Sequence, residues 1–371
     1  MQVTANPCER VAMALRSLYN QYGYRQYHMS KFEEYDLYAR NKDFLISDNV
    51  ITFTDLSGKL MALKPDVTLS IVKNSKDLPT VQKVYYNENV YRVTKGSQGF
   101  REIMQVGLEC LGPIDDLCIS EVLALAGESL LAVSSDVILD VSHLGLLSQL
   151  MASIGLPKEK RDELVKAISE KNAHELTALC RNVGVADADT ELLRQLLVIK
   201  GTPAAVLPQL ETLLAGRVDD QTLSQFTDVI RSLEGTDVEP MLRIDFSVVD
   251  DIHYYNGFVF KGFINGLPGS VLSGGQYDKL MQKMKRTDRA IGFAVYLDML
   301  ERLEDAGDAY DVDAVLLYDN TTALSVIRRK AKELIDSGLS VMLQQAVPED
   351  CRYRQLMKIT NGEVQTIETN A

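Results

Sequence analysis

Two arginines followed by two polar residues have the clearest potential for chemistry in this sequence. Within residues 84–112, Arg92 precedes a glycine-rich stretch and Arg101 follows it. Two guanidinium groups on strands joined by a loop could clamp a phosphate or a carboxylate. Gln105 and Glu109 come next, and on a strand their spacing directs both side chains to one face, which could hold an ammonium group and a polar side chain. The alternative for this segment alone is an exposed hairpin with solvated charges.

The residues around this segment predict an antiparallel sheet with flanking helices. Apolar residues at three- and four-residue spacing predict a helix over about residues 7–22. Short β-rich runs between residues 50 and 112, separated by turn-forming Asp, Ser and Gly, predict hairpins. A second helix is predicted over residues 116–133, and a strand follows at 136–142.

The composition changes after this strand. Residues 144–233 are rich in Leu, Ala, Glu, Lys and Gln with helical periodicity, which predicts an all-helical insertion. Strand character returns in three segments between residues 241 and 280, so the sheet is completed after the insertion. The next segment, AIGFAVYLDMLERL at 290–303, is predicted to be helical. After Gly307, a strand, a helix and two strands predict a small α/β unit.

These patterns predict an α+β fold in which an insertion divides the main core. The predicted boundaries are 1–143 for the first part of the core, 144–239 for the helical insertion, 240–305 for the completed core and 309–371 for the small domain. The small domain is only about 60 residues long.

The composition is that of a globular protein and disfavours several function classes. The chain has 371 residues, of which 46% are hydrophobic and 25% charged, enough for two or three domains with buried cores. We recognise neither a membrane span nor a secretory signal. The 39 basic and 52 acidic residues give a net charge of −13 without a basic cluster, which disfavours nucleic-acid binding. Five scattered cysteines with no metal-ligand spacing predict a cytoplasmic protein with reduced thiols, no metal and no cofactor.

Three further motifs occur in an informative order. They are LKPDVTLSI at 63–71, HYYNGFVFKGF at 253–263 and SGGQYDKL at 273–280. Together with the arginine hairpin they resemble the catalytic core of histidyl-tRNA synthetase, from about residue 7 to residue 302. The resemblance implies a class II aminoacyl-tRNA synthetase-like antiparallel sheet flanked by helices. The paired tyrosines and the S-G-G-x-Y-D turn are specific to the histidyl branch of that class.

The resemblance also implies a pocket for histidine. Asp66 and Thr68 match the acid and the threonine of a family loop, and Gln105, Glu109 and Tyr255 match positions that hold the ammonium and imidazole groups. The candidate histidine-binding residues are Asp66, Thr68, Arg92, Arg101, Gln105, Glu109, His253, Tyr254, Tyr255, Gly274 and Gly275.

Three of these candidates also have plain structural explanations. His253 could be an ordinary strand residue, and Gly274 and Gly275 could merely form a turn.

The ATP side of the pocket departs from the synthetase pattern. The family arginine that contacts the substrate carboxylate and the α-phosphate is matched by Asp250, and the arginine that ends the third class II motif is matched by Met299. An acidic side chain about 4 Å from a phosphate repels it by several kcal/mol, and a thioether cannot replace a guanidinium. Thr94 stands where an acidic residue contacts the adenine. We therefore expect lost ATP contacts and no catalytic residue. Either Arg92 or Arg101 takes over the carboxylate of histidine, or the ligand binds differently.

A histidine pocket with damaged ATP contacts resembles the regulatory subunit of ATP phosphoribosyltransferase, a synthetase paralogue also called HisZ. The resemblance implies that the short-form catalytic subunit needs this non-catalytic partner for activity and for histidine feedback in the first step of histidine biosynthesis. It also implies a self-dimer within a hetero-oligomer, with L-histidine as effector. The C-terminal unit resembles a shortened anticodon-binding domain. Two alternatives stay open: a divergent histidyl-tRNA synthetase that activates histidine with ATP, and a stand-alone histidine-binding paralogue.

Overall fold

The β-rich runs on either side of the insertion form one large and one small sheet. In chain order, the strands are β1 (Arg25–Gln26), β2 (Phe32–Glu34), β3 (Thr52–Thr54), β4 (Leu60–Leu63), β5 (Gln82–Val93), β6 (Phe100–Gly112), β7 (Val137–His143), β8 (Lys200–Gly201), β9 (Leu242–Asp245), β10 (Phe258–Ile264), β11 (Ser270–Gln276) and β12 (Arg289–Tyr296). Nine of them form a mixed sheet in the order β1-β5-β6-β12-β11-β10-β7-β9-β8, in which β1·β5 and β7·β9 are parallel pairs. The other three form an antiparallel sheet in the order β2-β4-β3.

This computed structural model describes residues 7–45, 50–93, 99–249, 254–303 and 310–370. Its residues group into one unit spanning Pro7–Arg302 and a C-terminal unit within Leu303–Ala371. The predicted insertion lies inside the first unit, together with the large sheet. The four predicted domain boundaries stay predictions, and the gap between residues 305 and 309 lies outside the described ranges.

Helices pack on the large sheet and build the insertion. In chain order, they are α1 (Pro7–Gln21), α2 (Tyr35–Arg40), α3 (Thr68–Asn74), α4 (Asp116–Leu131), α5 (Leu144–Ser153), α6 (Arg161–Ser169), α7 (Ala173–Val183), α8 (Asp187–Val198), α9 (Pro203–Leu214), α10 (Asp220–Arg231) and α11 (Asp278–Lys283). Short 3-10 helices span Lys42–Phe44, Lys158–Lys160, Glu239–Met241 and Leu297–Leu303. Among the described residues, no helix is both long and apolar enough to cross a membrane.

Apolar side chains cover both faces of the large sheet. Cys110 on β6 belongs to the main core cluster, which also contains residues of α1, α4 and the insertion helices. Its neighbour Leu111 belongs to a second cluster, with residues of α2, α3 and α11. Because successive strand residues point to opposite faces, the two clusters lie on opposite sides of the sheet.

The insertion is almost entirely helical, as its composition predicts, but it also adds the two-residue strand β8 to the sheet edge. Its helices begin and end at favourable residues: the side chain of Asn172 accepts a hydrogen bond at the start of α7, and Gly184 ends that helix in the left-handed conformation. Lys171 and Lys200 of the insertion form ion pairs with Asp245 of β9 at 3.0 Å. These ion pairs attach the insertion to the sheet.

The helix predicted over residues 290–303 is wrong for its first half. Residues 289–296 form β12, which lies between β6 and β11 near the middle of the large sheet, and only Leu297–Leu303 is helical, as a 3-10 helix. Ile291, Phe293 and Val295 pack in the main core cluster. The intervening residues are small or apolar as well, so the run lacks the polar alternation of a half-exposed strand.

The S-G-G-x-Y-D segment is not a turn. Gly274 and Gly275 lie within β11, and the helix α11 begins two residues after that strand ends. Both glycines are paired in register with β10 and β12, where their backbones continue the ladder. The absence of a side chain at Gly274 leaves room for Phe260 and Phe293, and its absence at Gly275 leaves room for the ring of Tyr255.

The C-terminal unit contains more strand than the sequence predicts. Its elements are β13 (Val312–Leu317), α12 (Leu324–Asp336), β14 (Val341–Gln344), β15 (Tyr353–Thr360) and β16 (Glu363–Thr369), with sheet order β14-β13-β15-β16. The strand β15 is absent from the prediction because charged and polar residues interrupt its apolar ones. It pairs with β16 through a tight turn in which Asn361 and Gly362 both have positive φ, the preference of a two-residue hairpin.

Candidate ligand-binding site

A cavity of about 400 Å³ lies on the face of the large sheet that carries Glu109. Residues of β5, β6, β12, β11 and β10 form its floor, and its walls come from the loop before α3 and from Tyr254 and Tyr255. Residues at two-residue spacing on β6 and β12 point into it, because alternate strand residues share a face. The volume suits a small polar molecule such as an amino acid.

Glu109 is a buried carboxyl group that lines this cavity from β6, with only 2% of its surface exposed. Thr68 donates its hydroxyl to Oε1 at 2.7 Å, and Tyr277 donates its hydroxyl to Oε2 at 2.6 Å. Burial raises the pKa of Glu109 to about 8; the two hydrogen bonds oppose this rise, and the charge of Asp66 adds to it. A cationic group brought beside Glu109 would favour its ionised form.

A second buried acid, Asp66, lies in the loop that leads into α3. Its carboxylate accepts a hydrogen bond from the backbone N–H of Leu69 at 2.8 Å and lies 3.7 Å from the guanidinium of Arg92. Burial raises the pKa of Asp66, although Arg92 and the backbone N–H groups of the first helical turn oppose that rise. Arg92 is itself held in place, because its Nε donates to the carbonyl of Pro65 at 2.6 Å. The loop and the first turn of α3 therefore present Asp66 and Thr68 to the cavity in a fixed arrangement.

Glycines on the sheet make room for the polar side chains of the site. A Cβ atom at Gly292 would coincide with the carboxyl group of Glu109, which lies directly opposite on β6. A Cβ atom at Gly107 would lie 2.5 Å from the hydroxyl of Tyr86, and one at Gly275 would lie 2.7 Å from the ring of Tyr255. Each glycine thus leaves the space that a neighbouring cavity residue occupies.

Aromatic rings close one side of the cavity. The ring of Tyr254 lies 4.6 Å from that of Tyr255 and 5.9 Å from that of Tyr277, and it also contacts Phe44. These tilted and edge-to-face arrangements stabilise aromatic clusters. They hold Tyr277 in position to bond Glu109.

The family to which this sequence and site belong is shown by a match over most of the chain. A family model described as Histidyl-tRNA synthetase matches residues 2–300. The chain belongs to this family. The predicted resemblance to the class II synthetase fold is confirmed, with its sheet, its flanking helices, its helical insertion and its small C-terminal α/β unit.

Individual members of the histidyl-tRNA synthetase family support the finer resemblance as well. A relative from Oceanobacillus iheyensis, named ATP phosphoribosyltransferase regulatory subunit, is 24% identical over 80% of this chain and 74% of its own length. A relative from Methanocaldococcus jannaschii, named Histidine–tRNA ligase, is 26% identical over 88% of this chain and 77% of its own length. A solved structure from Bacillus halodurans, described as an ATP phosphoribosyltransferase regulatory subunit/histidyl-tRNA synthetase, superposes with a TM-score of 0.78 at 23% identity, covering 96% of both chains. The resemblance to regulatory subunits is confirmed.

The fold brings seven of the eleven predicted histidine-binding residues to the one cavity. They are Asp66, Thr68, Arg92, Gln105, Glu109, Tyr254 and Tyr255. Residues from four separate segments of the sequence meet there, with Arg92 on β5 and Gln105 and Glu109 on the neighbouring strand β6. That they bind histidine stays a prediction.

Three other predicted residues are described but do not line this cavity. Arg101 is exposed and does not line the cavity, although it lies directly opposite Arg92 on β5. Gly274 faces Phe260 and Phe293 in the main core, and Gly275 supports the ring of Tyr255.

Of the three positions with lost ATP contacts, one is described. Met299 lies in the 3-10 helix after β12, where it packs against the main core cluster. Thr94 and Asp250, as well as the candidate His253, lie outside the described residues.

Several cavity residues were not predicted. They are Tyr86, Lys261, Ser270, Ser273, Tyr277 and Tyr296. Tyr277 was visible in the sequence as the tyrosine of the S-G-G-x-Y-D motif, but its bond to Glu109 needs the sheet order. Lys261 had a weaker signal, as a single charge within an apolar strand.

Proposed function

We propose that this chain is a non-catalytic regulatory subunit of ATP phosphoribosyltransferase that binds histidine in the sheet cavity. It is needed for the activity of the short-form catalytic subunit and conveys feedback by histidine. The observation that carries the proposal is the buried Glu109, held by Thr68 and Tyr277 beside Asp66 in a cavity of amino-acid size. The names of the relatives supply the identity of the transferase.

Histidine matches this cavity in charge. Its ammonium group, and its imidazole when protonated, are the cations that two buried carboxyl groups favour. Attraction between opposite charges is stronger in a site shielded from water than on the surface. Gln105, also buried against the cavity, can donate or accept a hydrogen bond at the polar part of the ligand.

Feedback requires that histidine favours one of two states of the subunit. The cavity joins parts that are separate in sequence: the loop before α3 carries Asp66, the first residue of α3 is Thr68, and the sheet carries Glu109. A ligand that bonds both would favour one placement of α3 against the sheet. We propose that the catalytic subunit binds differently to the two placements of α3, in an assembly built on a self-dimer.

Damage to the ATP side supports a regulatory role. At Met299 an apolar side chain packs in the core where the family uses a guanidinium, and the sequence has Asp250 at a second arginine position. Neither residue can hold a phosphate.

The decisive experiment measures phosphoribosyl transfer by a short-form catalytic subunit from the same source, alone, with this protein, and with added histidine. We expect activation by the protein and reversal of that activation by histidine. A transfer rate that this protein leaves unchanged would contradict the proposed function.

The second candidate is a divergent histidyl-tRNA synthetase, which the relative from Methanocaldococcus jannaschii favours. ATP–pyrophosphate exchange that depends on histidine would support it. Histidine binding without exchange and without effect on the transferase would leave the stand-alone histidine-binding paralogue.

A further inference from the structure

The cavity described above has an uneven distribution of charge. The two acids, Asp66 and Glu109, lie at the end formed by β6 and the loop before α3. Lys261 lines the cavity from β10, three strands away from β6 across the sheet. Three spacings of about 4.8 Å place β10 roughly 14 Å from β6. The side chains of Glu109 and Lys261, with one amino-acid ligand between them, can bridge this distance.

Strand register places Lys261 at the end of one continuous row. It lies opposite Ser273 on β11, which lies opposite Ala294 on β12, which in turn lies opposite Gly107 on β6. Residues directly opposite one another share a face of the sheet, and Lys261, Ser273 and Ala294 all line the cavity. Because Ser273 and Ala294 in the middle of the row are small, no large side chain of these two positions lies between Lys261 and β6.

Within the described residues, two cationic side chains line this cavity: Arg92 and Lys261. Arg92 is 7% exposed, donates to the carbonyl of Pro65 and lies 3.7 Å from Asp66. The positive charge of Arg92 therefore offsets the negative charge of Asp66 rather than that of a ligand. Lys261 is less buried, and an ammonium group has three donors, so it can bond a ligand and a protein neighbour together.

We propose that Lys261 binds the carboxylate of the amino-acid ligand, with the hydroxyl of Ser273 as a second donor. The ligand then lies across the sheet, with its cationic part at Glu109 and its carboxylate at β10. This inference rests on the proposed function and adds a selectivity to it: the cavity distinguishes a free amino acid from a molecule with the same side chain and no carboxylate.

The test compares histidine with histidinol, its amino alcohol, by calorimetry on the full chain. We expect wild-type protein to bind histidine about thirtyfold more tightly than histidinol, the size of one charge-assisted hydrogen bond. In Lys261→Met, histidine affinity falls by about the same factor while histidinol affinity stays the same. The retained histidinol affinity also shows that the variant is folded.

Two further variants separate charge from structure. Lys261→Arg keeps a cation and should retain a preference for histidine. Lys279→Met makes the same substitution at an exposed lysine of α11 outside this cavity and should behave as wild type. A Lys261→Met protein that keeps the wild-type preference overturns this inference alone. Wild-type protein that binds neither ligand overturns the proposed histidine site as well.

Discussion

Glu109 on β6 and Asp245 on β9 are acids of the same sheet, each only 2% exposed, but their partners differ. Among the described residues, Glu109 has hydroxyl donors and no ion pair. Asp245 has two lysines at 3.0 Å and accepts bonds from the backbone and the hydroxyl of Ser247. Burial opposes ionisation of both, yet the pKa of Asp245 is lowered by its bonds to Ser247 and the lysines, whereas that of Glu109 rises to about 8.

We propose that this difference separates an acid that holds the fold together from an acid that binds the ligand. The chain supplies Asp245 with its cations, Lys171 and Lys200, and the pairs join the insertion to the sheet. The described residues supply Glu109 with hydroxyl groups, which satisfy hydrogen bonds but carry no charge. Under the proposed function, bound histidine supplies the cation for Glu109.

The largest expected effect is on ligand binding. Glu109→Gln keeps the size of the side chain but removes its charge, so we expect histidine affinity to fall about a hundredfold or more. Asp245→Asn should change that affinity less than about twofold, because Asp245 does not line the cavity. Calorimetric titration of both variants with histidine measures the two affinities. An equal loss of affinity in both variants would contradict a special role of Glu109 in binding.

The second effect is on stability, where we expect Asp245→Asn to have the larger effect and Glu109→Gln the smaller. Asp245→Asn leaves two lysines with a weaker partner, and we expect it to lower the free energy of unfolding by about 2 kcal/mol, a value reduced because the lysines contact water. Glu109→Gln should leave the free energy of unfolding unchanged or raise it, since it removes a buried acid. Urea unfolding followed by circular dichroism tests this. A Glu109→Gln protein less stable than Asp245→Asn would show that the assignment of roles is wrong.

The third effect concerns pH. In the unfolded chain Glu109 loses its proton near its ordinary pKa of 4.5, but in the folded protein it keeps the proton up to about pH 8. Between these values the folded state binds more protons, so its stability falls as pH rises. We expect wild-type protein without ligand to lose about 1 kcal/mol relative to Glu109→Gln between pH 6 and pH 7. Urea unfolding of both proteins at the two pH values measures the difference, and parallel pH profiles would contradict it.

The smallest effect distinguishes the two lysines. Lys200 pairs with both Asp140 and Asp245, whereas Lys171 pairs with Asp245 alone, and both are about half exposed. We expect Lys200→Met to lower the free energy of unfolding by about 1 kcal/mol and Lys171→Met by about half as much. The same denaturation experiment ranks them, and the reverse order would speak against Asp245 as a shared partner.

The sequence predicts most elements of this fold because their periodicity and punctuation are clear. The hairpin of β5 and β6, the helix α4 and the helical insertion are examples. The strand β12 is the instructive failure: its apolar residues belong to both faces of a central strand, so the run has no alternation and resembles a helix. A strand that is covered on both faces lacks the polar–apolar alternation by which a half-exposed strand is recognised in a sequence.

The candidate site was predictable where residues of one strand act together. Gln105 and Glu109 share a face by spacing alone. Lys261 and Tyr277 could not be added, because their places depend on the order β6-β12-β11-β10 and that order is set by pairing far along the chain. Arg101 does not line the cavity, although it lies directly opposite Arg92, and its contact with histidine stays a prediction.

Both edges of the nine-stranded sheet end in strands of two residues, β1 and β8. Beyond β1, the outer backbone of β5 is met by single bonds, from the N–H of Tyr27 to Tyr85 and from the N–H of Tyr91 to the carbonyl of Lys64. An incoming extended chain would therefore find few unpaired groups in a row at either described edge. The short outer strands β1 and β8 thus limit edge-to-edge pairing of this sheet with another extended chain.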